Sequence, residues 1–83
     1  MTSQTSTSTT ATDTPAAAQG SHMWVLTLEV PGRGMTTQYG TWTPPAGATR
    51  YDVLIALRGH IVAQHPEMSS ANTVFFSLEP NQL

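Results

Sequence analysis

From Met23 to Val30 the chain reads Met-Trp-Val-Leu-Thr-Leu-Glu-Val, and its even positions Trp24, Leu26, Leu28 and Val30 are all apolar. Thr27 and Glu29 fall between them, so the period is two, the mark of a strand with one buried face. It is the longest run rich in β-branched, aromatic and aliphatic residues, and it reads as the central strand of a very small domain.

Size limits what can be built around it. The chain has 83 residues and no cysteine, so one domain is the most it can hold, with no disulfide or thiolate metal site to reinforce it. Residues 1–22 are mostly Thr, Ser, Ala and Gln, with Asp13 and Pro15, and have almost nothing to bury. They read as a disordered tail, leaving residues 23–83 as the folded unit. Gly20-Ser21-His22-Met23 also spells a common cloning remnant, which would make Met23 the native start. A core drawn from about 60 residues hides only about 60% of the unfolded chain's surface, so stability is marginal.

After the first strand, Pro31-Gly32-Arg33-Gly34 suits a type II turn, with the proline presetting φ and Gly32 supplying φ > 0. A four-residue hairpin loop sets Val30 against Met35, Leu28 against Thr37 and Leu26 against Tyr39. The second strand then spans about Met35 to Thr43, and a bulge at Gly40 is needed to return Trp42 to the core side. Pro44-Pro45-Ala46-Gly47 ends it. Thr49-x-x-Asp52 is a capping-box spacing, predicting a helix from about Arg50 to His65, before Pro66. Its apolar stripe is Tyr51, Leu54, Ile55, Ile61 and Val62, with Leu57 at the edge. A third strand follows over residues 73–79, with Val74, Phe76 and Leu78 on one face.

The fold class is thus α+β: a two-layer ββαβ domain with a three-stranded sheet in order 2-1-3 and one helix on one face. That order makes every neighbouring pair antiparallel and puts the most apolar strand in the middle.

The chemistry is sparse. His60 and His65 lie about 140° apart around a helix and cannot chelate one metal from the same face. Gly32-Arg33-Gly34 precedes a strand, whereas a phosphate loop needs a helix there. No nucleophile motif or carboxylate pair stands out. The sequence therefore predicts no enzyme, no cofactor, no metal and no catalytic residue. Three arginines against five carboxylates disfavour nucleic acid, and no apolar run approaches a membrane span. Without a basic, apolar leader the default location is cytoplasmic.

What is left is binding. The chain reads as a small non-catalytic interaction module, an accessory subunit, inhibitor or regulator, that meets another protein or a second copy of itself through the edge of strand 73–79. That strand carries no charge, proline or glycine from Thr73 to Leu78. The candidate contact residues are Thr73, Phe75 and Ser77, together with Arg58 inside the apolar arc of the helix and Trp42, which without a bulge at Gly40 stands on the surface as an anchor. The alternative is a single-stranded nucleic-acid binder that stacks bases on exposed aromatics.

Overall fold

A computed structural model describes residues 18–83. Its elements run β1 (His22–Val30), β2 (Gly34–Trp42), α1 (Arg50–Gln64), a short 3-10 helix (Pro66–Met68) and β3 (Asn72–Pro80). The sheet is three-stranded in order β2-β1-β3 with both pairs antiparallel, the α+β architecture expected.

The alternation of β1 decides where the core lies. Trp24, Leu26 and Leu28 are buried under the helix, and the two leucines have no exposed surface. Burying a leucine completely is worth about 1.5–3 kcal/mol. From above, α1 contributes Val53, Leu57 and Ile61, four residues apart and therefore one above another on a single face. This corrects the expected stripe: Tyr51 and Ile55 are exposed, Leu54 and Val62 are partly buried, and Leu57 sits at the centre. Met68, Ala71 and Leu78 complete the core.

The start of α1 follows from local chemistry. Thr49 Oγ1 accepts from the Asp52 N–H at 3.1 Å, and the Thr49 N–H donates to Asp52 Oδ2 at 3.1 Å. Each side chain satisfies a donor that the helix leaves open. The helix stops at Gln64, with His65 as its cap residue.

The hairpin departs from expectation by one residue. Gly32 has φ +75°, and the Arg33 N–H donates to the Val30 carbonyl at 2.9 Å, so the turn is where the proline and glycine place it. The strand, however, resumes at Gly34, which pairs with Val30; Leu28 pairs with Thr36 and Leu26 with Gln38. A one-residue slip exchanges the two faces of a strand. Thr36, Gln38, Gly40 and Trp42 therefore face the helix, while Met35, Thr37, Tyr39 and Thr41 face away. Trp42 reaches the core side with no bulge at Gly40. The irregularity lies in β3, where Thr27 pairs with Phe75 but Leu28 pairs with Thr73. Val74 is the extra residue and is 52% exposed, not part of the core face as expected.

The boundary at residue 22 also moves. His22 belongs to β1, and the Gly20 and Ser21 N–H groups donate to Thr41 Oγ1 at 2.9 Å and Thr43 Oγ1 at 3.1 Å. The Asn81 N–H donates to the Ser21 carbonyl at 2.9 Å, and its Nδ2 donates to Gln19 Oε1 at 2.9 Å. The rest of the expected tail, residues 1–17, lies outside the described residues.

Candidate interaction surface

Odd-numbered residues of β1 and β2, with Phe75, Ser77 and Glu79 of β3, point away from the helix. No described element covers this face. On it Met23, Met35, Tyr39 and Phe75 are 44%, 58%, 73% and 53% exposed. The register lays them out in rows: Tyr39, Val25 and Ser77 cross the sheet in one, and Thr37, Thr27 and Phe75 in the next. Thr27 and Thr37 hydrogen-bond through their hydroxyls at 2.9 Å, which fixes the middle of the face without a charge. Glu29 and Glu79 lie at its two ends, and no arginine belongs to it.

The five residues singled out from sequence do not converge. Phe75 and Ser77 share the open face. Thr73 pairs with Leu28 beyond the bulge and falls on the helix side. Trp42 is on the helix side too, at the opposite edge of the sheet, half-buried against the core. Arg58 is held elsewhere: its Nη2 donates to the carbonyls of Ser69 at 3.0 Å and Ala71 at 2.9 Å. The guanidinium thus ties the helix to the segment leading into β3, with the stem lying along the apolar arc. Met35 and Tyr39, which share the open face with Met23 and Phe75, were hidden by the hairpin register, whereas Met23 follows from the alternation of β1. A three-residue loop was the one clue that would have revealed Met35 and Tyr39.

Trp42 borders two shallow grooves. One, of about 390 Å³, is lined by Pro45 to Ala48 and by Asp52, Val53 and Ala56. The other, of about 380 Å³, is lined by Trp24, Thr41, Ala56, Leu57 and His60. Asp52 is engaged in the helix cap, and His60 Nε2 lies 3.4 Å from Gln64 Nε2. His65 Nδ1 is 3.6 Å from Glu67 Oε2 across the turn after the helix, an ion pair only when the imidazole is protonated. Among the described residues, no three His, Cys, Asp or Glu side chains gather where they could hold a metal ion. No helix among them is long and apolar enough to cross a membrane.

Comparison with known proteins adds no relative: no family model, no curated protein and no solved structure matches the chain.

Proposed function

We propose that this chain is a small non-catalytic protein-interaction module, an accessory subunit, inhibitor or regulator, acting in the cytoplasm. The observation that carries this reading is the open sheet face, where Met23, Met35, Tyr39 and Phe75 stand exposed around a neutral threonine pair. Aromatic and methionine side chains are enriched in the centres of protein interfaces, and charges are depleted there. An apolar group of this kind, rimmed by polar residues, marks an interaction surface more often than a solvated one.

The edge of strand 73–79 enters this proposal in a reduced form. The bulge at Val74 interrupts its ladder, and Pro80 lacks an N–H, so a regular edge with every N–H present is confined to residues 75–79. Phe75 contributes through the face instead.

The test is affinity purification from the native cell with wild type beside Phe75→Lys. A partner retained by wild type and lost by the variant supports the reading. Identical recovery with both proteins refutes a role for this face.

A second reading, single-stranded nucleic acid stacking on Tyr39 and Phe75, draws on the exposure of both rings on one face. The two glutamates there and the absence of arginine oppose it. Titration with single-stranded DNA at low salt separates the two, since only the nucleic-acid reading gives saturable, salt-sensitive binding.

A further inference from the structure

The two edges of the sheet are not equivalent, and the hydrogen-bond phase shows which is open. Just before β1, the Ser21 carbonyl accepts from the Asn81 N–H and so points toward β3, although the Ser21 N–H turns to Thr43 Oγ1. In an antiparallel ladder the direction alternates, so the even-numbered residues of β1 bond to β2. The Val30 carbonyl accepting from Arg33 across the hairpin agrees, as does the close Thr27–Thr37 hydroxyl pair, typical of a position without ladder bonds. It follows from the register that Gly34, Thr36, Gln38, Gly40 and Trp42 bond inward to β1. Met35, Thr37, Tyr39 and Thr41 then aim their N–H and C=O groups outward. Among the described residues, no turn, loop or cap backbone bond engages them.

An unguarded edge is a template for another strand. On β3 the bulge and Pro80 protect the outer side. Among the described residues nothing does so on β2: the pairing with β1 is regular from Gly34 to Trp42, and the strand holds no charge and no proline.

We infer that β2 pairs antiparallel with β2 of a second copy of this chain, about a two-fold axis through Gln38, to give a continuous six-stranded sheet. This rests on the reading of the chain as an interaction module and names one partner for it. Gln38 is the midpoint of the nine-residue strand, so this register alone uses the whole edge. It sets Thr37 against the partner's Tyr39 and Met35 against the partner's Thr41, the four residues on each copy whose backbone groups point outward. On the helix side it sets Trp42 against the partner's Gly34 and Gly40 against the partner's Thr36, so each bulky side chain meets a small residue. No like charges face one another across the axis, which a self-pairing strand requires.

An edge of nine residues is about 30 Å long and one layer of side chains deep. That is less than the roughly 800 Å² per partner of a standard interface. The dimer is therefore reversible, and its occupancy rises with concentration.

Sedimentation of the full chain from about 10 μM to about 1 mM should show the average mass rising from one chain toward two, the range a weak interface of this size implies. Gln38→Lys and Gln38→Glu each place like charges face to face and should remain monomeric, with wild-type circular dichroism. Mixed in equal amounts, they should associate, because opposite charges then meet at the axis. Thr37→Pro, which removes an outward N–H, should abolish association as well, while Thr37→Val, which removes only the hydroxyl bonded to Thr27, should not. Phe75→Lys, on the far strand, should leave it intact. A wild-type monomer throughout overturns the inference, as does a wild-type dimer with no association in the Lys/Glu mixture. Loss of the dimer in Phe75→Lys alone would instead assign self-association to the open face or the β3 edge. Loss of a heterologous partner in that variant, with the dimer unchanged, would uphold both proposals independently.

Discussion

Gly40 lies across from Trp24 on the neighbouring strand, and the indole of Trp24 covers it: a Cβ placed on Gly40 would meet the ring at 3.4 Å. That distance is ordinary van der Waals contact, and the backbone of Gly40 is not among those with positive φ. Glycine here provides a shallow seat for the ring.

Alanine fits that seat. Gly40→Ala should raise stability by about 0.4–1 kcal/mol, because the unfolded chain loses freedom while the folded one keeps its geometry. Gly40→Val pushes the indole aside and should cost about 1–3 kcal/mol. Urea denaturation of the two variants checks the difference in sign; a marked loss with alanine would mean that the ring cannot yield.

The face that α1 turns to the sheet is testable by truncation. Leu28→Ala should cost about 2–5 kcal/mol, enough to unfold a domain of this size. Tyr51→Ala and Ile55→Ala, on the exposed side of the helix, should each change stability by no more than about 0.5 kcal/mol. Thermal melts of the three variants suffice, and a large effect at Tyr51 would restore the stripe read from sequence.

Arg58 should matter for stability more than for binding. Replacing it with methionine keeps the apolar stem but leaves the Ser69 and Ala71 carbonyls without their charged donor. The expected cost is about 1–2 kcal/mol, with lysine recovering only part of it because its ammonium, though able to serve both carbonyls, ends a shorter side chain. Hydrogen exchange should quicken first in residues 69–72. Unchanged exchange there would show that the guanidinium contacts are dispensable.

At the other end of the molecule, residues 19–21 hold β2 and Asn81 together. A Cβ on Gly20 would run into the Trp42 backbone, so Gly20→Ala must displace the segment. It should speed exchange at Ser21 and Asn81 while leaving the core amides of β1 protected. Deleting residues 1–21 should lower the thermal midpoint more than deleting 1–17, since only the longer deletion removes the bonds to Thr41, Thr43 and Asn81.

How much of this was legible beforehand differs from element to element. The alternation in Trp24, Leu26, Leu28 and Val30 and the Thr49–Asp52 capping box depend on neighbours a few residues away. Both were readable, and with them the element order and the central place of β1. The face of β2 was not. Its composition, Met-Thr-Thr-Gln-Tyr-Gly-Thr-Trp after Gly34, suits either orientation, so one residue of loop length settled it. The same holds for α1, where Tyr51–Leu54–Ile55 and Val53–Leu57–Ile61 are both helically spaced. Met68 and Ala71, closing in from the loop, belong to the core that buries the second set. The five candidate contact residues scattered for the same reason, since each had been placed by the face of its own element. Local pattern thus determined the elements, their order and the centre of the sheet. Tertiary structure decided which faces are covered, because register and helix rotation are set by contacts between residues far apart in the chain.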